Sequence, residues 1–86
     1  MVELCGALKP TATISGSSDE ILMFTLPTEV APRRNERKIM QGSTGAIWLF
    51  NVFTSGNVYF SRYRLGGTYE DATVNTWLPF KIVYMI

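Results

Sequence analysis

Tyrosine and arginine side chains are concentrated in one segment, the run Tyr-Phe-Ser-Arg-Tyr-Arg from Tyr59 to Arg64. Successive side chains of a strand point to opposite faces, so Tyr59, Ser61 and Tyr63 are expected on one face and Arg62 and Arg64 on the other. Tyrosine offers a large ring with a polar end, and arginine offers a planar fork of donors. Saccharides are bound by rings that stack on their C–H faces and by planar polar groups that reach their hydroxyls. The sequence therefore predicts a saccharide-binding surface of Tyr59, Arg62, Tyr63, Arg64, Tyr69, Asp71 and Trp77.

The same residues have a structural alternative. Aromatic side chains in strands are commonly packing residues, and the two arginines could pair with Glu70 and Asp71. Trp77 stands at the end of a polar loop, and the sequence favours neither a ring that stacks on a sugar nor a ring that packs inside the protein. Trp48 lies in an apolar strand, which favours the core or a subunit interface over a sugar platform.

Catalytic chemistry has little support in this sequence. The chain has no histidine, which is the commonest general base, and it has a single cysteine, Cys5, in an apolar strand. Glu70 and Asp71 are neighbours, so they would not face each other across a scissile bond as glycosidase carboxylates do. The usual Cys/His zinc set is also missing. We therefore predict a chain that is not an enzyme and has neither a metal site nor a cofactor.

Basic residues cluster between Arg33 and Lys38, around Glu36. Nucleic acid is one candidate ligand, yet the cluster has no interleaved aromatic residues and the formal net charge of the chain is only +1. A solvated loop is the preferred interpretation, with an anionic wall polymer as the alternative. No run approaches the ~18 apolar residues of a membrane span, so we expect no nucleic acid partner and no membrane insertion.

Short strands separated by turns account for most of the chain. A hairpin is the strongest of these signals, because two apolar arms flank a polar turn that contains Gly56. A flexible link is expected at 41–45 and a polar loop at 68–76. The spacing predicts a single domain, residues 1–86, that folds as an antiparallel β-sandwich of jelly-roll type. The predicted strands are Met1–Leu8, Ile21–Leu26, Glu36–Met40, Ala46–Phe53, Val58–Arg64 and Trp77–Ile86.

The composition favours self-association. Hydrophobic residues make up 47% of the 86 residues and charged residues only 17%, and so small a domain has little interior in which to bury them. The last strand is apolar on both faces, and a strand of this kind is covered on both sides. We therefore expect a homo-oligomer whose subunits meet through the closing strand and the first hairpin arm, at Trp48, Phe50, Phe80, Ile82 and Tyr84.

The order of these segments resembles a known family. Phe24–Pro32 is similar to an LP-x-x-x-x-P segment, and it is followed by a glycine-turn hairpin at Phe53–Val58 and by a closing strand at Trp77–Tyr84. The opening Val2–Gly6 is similar to the first strand of the same proteins. Together these segments resemble the C-terminal head of tail-fibre, baseplate and minor structural proteins of phages that infect Gram-positive bacteria.

The resemblance implies a function and an assembly. It implies a homotrimeric, all-β head at the tail tip of the virion, which is joined to the rest of the fibre or baseplate and binds a cell-wall or surface polysaccharide of the host. This sequence departs from the family's LPxGYRP form, because Val30 and Ala31 stand where that form has an aromatic residue and an arginine. The alternatives are a structural trimerisation tip without its own ligand, a small nucleic-acid-binding barrel of OB type and, last, an enzyme.

Overall fold

The computed structural model describes residues 1–42 and 45–86, so Ser43 and Thr44 of the expected flexible link lie outside the described residues. Within the described ranges the chain is all-β with antiparallel sheets, as predicted, and a 3-10 turn lies at Thr28–Val30. In that part of the chain no helix has the length and apolarity needed to cross a bilayer. The strands are β1 (Val2–Leu8), β2 (Ile21–Thr25), β3 (Glu36–Gln41), β4 (Ile47–Val52), β5 (Asn57–Leu65), β6 (Thr68–Tyr69) and β7 (Leu78–Tyr84).

The larger sheet is built on the predicted hairpin. Its strands are hydrogen-bonded in the order β2-β5-β4-β3, and the short β6 also pairs with β5. Gly56 closes the β4–β5 turn with φ of +93°, and its N–H donates to the carbonyl oxygen of Phe53 at 2.9 Å. A Cβ on Gly56 would lie 2.5 Å from the carbonyl oxygen of Leu26. Glycine is therefore required at this turn, both for its backbone angle and for the close approach of Leu26, which follows β2.

A β-bulge interrupts β5. The register with β4 leaves Trp48 opposite two residues, Arg62 and Tyr63, and Arg62 has φ of +58°. One extra residue shifts the alternation of side chains by one position. Tyr63 consequently turns to the same side as Phe60, with ring centroids 6.1 Å apart, and is buried. The prediction that Tyr63 shares a face with Tyr59 was therefore wrong.

A separate two-stranded sheet packs on the larger one. In it β1 and β7 run antiparallel, from Val2 opposite Tyr84 to Leu8 opposite Leu78. Phe80 of β7 stacks on Phe50 of β4, with ring centroids 5.0 Å apart and planes inclined by 14°. Beside this stack, Nζ of Lys38 in β3 donates to the carbonyl oxygen of Lys81 in β7 at 3.4 Å.

The core lies between the two sheets. The residues expected at the subunit interface belong to this core, so that expectation was wrong. Trp48, Phe50, Ile82 and Tyr84 are all buried by the chain itself, and Phe80 packs against this cluster. The expectation assigned the two faces of β7 the wrong way round, although Lys81 lies on the odd-numbered face and marks it as the outward one. Even-numbered side chains of β7 face the larger sheet, whereas Lys81 and Val83 point outward. Contacts between subunits would therefore need other residues.

Candidate functional site

Arg64 and Tyr69 lie directly opposite each other where β5 pairs with β6. The Tyr69 side chain belongs to a segment expected to be a loop, and 45% of its surface is exposed. Arg64 is half-buried, and its Nη1 donates to the carbonyl oxygen of Arg62 at 3.3 Å. Residues predicted from two separate stretches of sequence thus meet at one edge of the larger sheet.

The segment at 14–17 holds this edge in place. The backbone N–H of Gly16 donates to Oδ1 of Asp71 at 2.9 Å, and the N–H of Arg62 donates to the carbonyl oxygen of Ser17 at 3.2 Å. Asp71 is exposed. We call Arg62, Arg64, Tyr69 and Asp71 the β5–β6 patch.

The arginines of the β5–β6 patch are not paired with acids. Within residues 1–42 and 45–86, the ion pair that forms is Arg34–Glu36, at 3.8 Å. The alternative in which Arg62 and Arg64 pair with Glu70 and Asp71 is therefore not seen. Guanidinium donors near solvent are left available for an anionic or hydroxylated ligand.

Tyr59 lies further along β5, on the face of the larger sheet that points away from β1 and β7, which we call the outer face. Its ring packs on Phe53 with centroids 4.9 Å apart, and its hydroxyl accepts a hydrogen bond from Nδ2 of Asn57 at 3.3 Å. The ring is half-buried and held by these contacts. A fixed ring loses little freedom on binding, which suits a contact surface.

Sequence reasoning missed a polar group beside Tyr59. Asn51 lies opposite Tyr59 on the outer face and is only 1% exposed; its Nδ2 donates to Oε2 of Glu20 at 3.0 Å. Oδ1 of Asn51 and Oγ of Ser61 are buried and have no hydrogen-bond partner among the described residues. The sequence signal for this site was Asn51 itself, because it is a polar residue inside an apolar strand. The contact with Glu20 had no local signal, since the two residues are far apart in sequence and meet only when the sheet forms.

Two predicted site residues lie elsewhere. Tyr63 is in the core, and Trp77 precedes β7 with its indole about half exposed. The carbonyl of Trp77 adjoins Gly42 at the end of β3, since a Cβ on Gly42 would lie 3.0 Å from that oxygen and 3.8 Å from the Tyr63 ring. The Tyr63 ring therefore lies in the core on the side of Gly42, while the Tyr63 carbonyl oxygen accepts from the N–H of Glu70 at 3.0 Å beside the β5–β6 patch.

A concave region lies at the end of β7. It encloses about 590 Å³ and is lined by Arg33, Arg34, Glu36, Val83, Tyr84 and Met85. The Tyr84 hydroxyl donates to the carbonyl oxygen of Val30 at 2.5 Å. Burial raises the pKa of Tyr84 above its ordinary 10.0, and the carboxylate of Glu36 raises it further. In the described residues, no three His, Cys, Asp or Glu side chains gather as a metal-binding group.

No protein family, curated protein or solved structure matches this chain. The geometry of its own residues is therefore the basis for a functional proposal. That geometry consists of an all-β fold, an exposed ring beside unpaired guanidinium groups, and buried polar atoms without partners on the outer face.

Proposed function

We propose that this chain is a non-catalytic adhesion domain that binds saccharide on a bacterial surface, at the tip of a phage tail fibre or baseplate. The observation that carries the proposal is the juxtaposition of Arg64 and Tyr69, an unpaired guanidinium opposite a ring that is 45% exposed. The resemblance of the Phe24–Pro32 and Trp77–Tyr84 segments supports the phage setting.

The chemistry of binding follows from these groups. The Tyr69 ring stacks on the apolar face of a sugar, while Arg64 and Arg62 donate to its hydroxyl, carboxylate or phosphate oxygens. The exposed carboxylate of Asp71 accepts hydrogen bonds from hydroxyls. Such a surface patch binds weakly, and several copies on one particle strengthen attachment by roughly 10²–10⁴.

The proposed assembly is a homotrimer of jelly-roll-like β-sandwiches. The stacking of Phe80 on Phe50 supports the sandwich, because it joins two antiparallel sheets face to face. The apolar composition of so small a domain supports oligomerisation. The proposed location is the tail tip of the virion, with the rest of the fibre or baseplate as a further partner.

Saccharide binding is tested on a glycan array and on whole Gram-positive cells, followed by titration with the best soluble glycan. The Tyr69→Ala and Arg64→Ala variants should each weaken binding by about tenfold, which corresponds to about 1.4 kcal/mol. Arg34→Ala is the matched control, since Arg34 is exposed and lies outside the β5–β6 patch. Binding that survives both patch substitutions, or no binding to any glycan or cell, would contradict the proposal.

A structural trimerisation tip without a ligand site is the second candidate. The observation that favours it is the outward face of β1 and β7, where Cys5, Val83 and Met85 are exposed although they carry no charge. This candidate predicts a stable oligomer that binds no glycan, so the array and the mass in solution separate the two functions.

A further inference from the structure

The β5–β6 patch lies on the same face of the larger sheet as Tyr59. Residues directly opposite each other on neighbouring strands share a face. Tyr59 is opposite Asn51, and Arg64 is opposite both Ile47 and Tyr69. Ile47 and Asn51 are four positions apart on β4, so their side chains point to the same side of the strand. The Tyr69 ring and the Tyr59 ring are therefore both on the outer face.

The two rings are too far apart to contact a single sugar unit. Tyr59 and Arg64 are five positions apart on β5. At the usual rise of a strand, shortened by the bulge, they are separated by about 15 Å along β5. One sugar ring covers only a fraction of that distance. A saccharide that contacts both Tyr59 and Tyr69 is therefore a chain of several linked units lying along β5.

Charged groups of opposite sign stand at different points of this span. The β5–β6 patch supplies two guanidinium groups at one end. Toward the other end, Oε2 of Glu20 accepts a hydrogen bond from Nδ2 of Asn51, the residue opposite Tyr59, at 3.0 Å. Glu20 is exposed, whereas Asn51 is only 1% exposed. The buried amide thus holds an exposed carboxylate on the outer face, and a group that is already held loses little freedom when it accepts a sugar hydroxyl.

Two buried oxygen atoms lie in the middle of the same span. Oδ1 of Asn51 and Oγ of Ser61 have no hydrogen-bond partner among the described residues, and the two side chains are 1% and 2% exposed. Ser61 is opposite Leu49, which makes it a diagonal neighbour of Asn51 on the outer face. Native folds keep few such atoms, because each one destabilises the folded state. Polar residues retained here favour a polar ligand over an apolar partner for this part of the face.

We infer that the saccharide is a linear polysaccharide that binds along its length on the outer face, from the β5–β6 patch to Tyr59. Anionic groups of the polymer lie over Arg62 and Arg64, and the unit over Tyr59 is uncharged because Glu20 repels a second acid. The inference rests on the proposed function and deepens it, since it names an internal stretch of a chain, rather than a terminal sugar, as the ligand. We call this surface the β5 track; its members are Tyr69, Arg64, Arg62, Glu20, Asn51 and Tyr59.

Fragments of graded length test the inference on the whole chain. The probe is the surface polysaccharide of the Gram-positive cells that the wild type binds, cut by mild acid and separated by size. Titration calorimetry measures the affinity for each fraction. Wild-type affinity should rise at least tenfold from the shortest fragment that binds to one that spans the β5 track, and should then level off. Equal affinity for short and long fragments would overturn the inference.

Substitutions along the β5 track separate its two ends. Tyr59→Ala and Glu20→Ala should each abolish the gain with length and leave the shortest fragments at wild-type affinity, whereas Tyr69→Ala should weaken binding of every fragment. Tyr59→Phe keeps the ring and should keep most of the gain. A gain that survives Tyr59→Ala or Glu20→Ala, or tighter binding by Glu20→Ala, would contradict the inferred track.

Ile39→Ala is the matched control. Ile39 is opposite Leu49 on the outer face and is 57% exposed, but it belongs to β3, two strands away from β5. Its substitution should leave the affinity for every fragment unchanged. Circular dichroism checks that each variant keeps its β-structure, and Glu20→Ala serves as the test if Tyr59→Ala unfolds, because Glu20 is exposed.

The same titrations distinguish failure of the inference from failure of the proposed function. If no fragment, whole polysaccharide or cell binds the wild type, the proposed function fails and the inference fails with it. If Tyr69→Ala weakens binding but the wild type binds short and long fragments equally, the saccharide site stands and the β5 track alone is refuted.

Discussion

The ring of Phe80 in β7 lies on the ring of Phe50 in β4, nearly parallel to it at 5.0 Å between centroids. This contact joins the two sheets, because β7 and β4 share no backbone ladder. Phe24 of β2 also approaches Phe80, at 5.7 Å. Phe80 is therefore one of the side chains that hold the two-stranded sheet on the larger one, together with Ile82 and Tyr84.

Removal of this ring should weaken the packing between the two sheets and so destabilise the fold. We expect Phe80→Ala to lower the free energy of unfolding by about 3 kcal/mol, through lost burial and the cavity left between Phe50 and Phe24. Urea denaturation followed by tryptophan fluorescence measures the change. Phe53→Ala is the matched control, because Phe53 packs on Tyr59 outside the core, and it should cost less than half as much. Equal losses for the two variants would contradict the role given to Phe80.

The hairpin and the strand pattern could be predicted from sequence because their signals are local. The polar turn with Gly56 and the two apolar arms define β4 and β5 without knowledge of the rest of the chain. The bulge at Arg62 has no such signal, since nothing in the local sequence requires a positive φ at an arginine. The prediction therefore failed from Tyr63 onward, where the alternation changes.

The site was only partly predictable for a related reason. Arg64, Tyr69 and Asp71 could be selected by residue type, but their proximity depends on the short β6, which pairs within a stretch that looks like a loop. Glu20 reaches Asn51 through pairing between distant segments. One face of β7 is wholly apolar and the other carries Lys81, so the charge was a signal for the outward face that the prediction did not use.

The bulge makes a prediction about backbone conformation. Arg62 has φ of +58°, a region that costs a β-branched residue most and glycine least. We expect Arg62→Val to lower the free energy of unfolding by about 1–2 kcal/mol, and Arg62→Gly to stay within about 0.5 kcal/mol of wild type because relief of strain offsets the added flexibility of the unfolded chain. Thermal unfolding by circular dichroism measures both. Equal stability of the two variants would show that the bulge is absent in solution.

Asn51 allows a prediction about buried charge on the outer face. Asn51→Asp replaces an amide that donates to Glu20 with a second carboxylate, at a position only 1% exposed. We expect a loss of about 3 kcal/mol in unfolding free energy at pH 7, because the new charge is buried and repelled. The loss should shrink as the pH falls toward about 4, where protonation of one carboxyl restores a donor.

The control for this substitution is Asn75→Asp, since Asn75 is exposed and its backbone N–H donates to Oγ1 of Thr73 within the same turn. It should change stability by less than about 0.5 kcal/mol at both pH values. If Asn51→Asp is as mild as this control, or if its cost does not depend on pH, then Glu20 does not cover Asn51 in solution.

The last prediction concerns alkaline pH and Tyr84. Burial and the Glu36 carboxylate raise the pKa of Tyr84 in the folded chain above 10.0, so the folded state keeps the phenol proton after the unfolded state has lost it. A raised pKa contributes stability that is fully present below pH 10.0 and is lost as the pH rises through the folded value.

In Tyr84→Phe the hydrogen bond to Val30 is missing, which should cost about 1 kcal/mol near neutral pH. Because the phenylalanine variant has no phenol at this position to ionise, the difference in unfolding free energy between the two proteins should narrow above pH 10. Urea denaturation from pH 8 to 11.5 measures this difference, and parallel curves over that range would mean that Tyr84 ionises equally in the folded and unfolded chains.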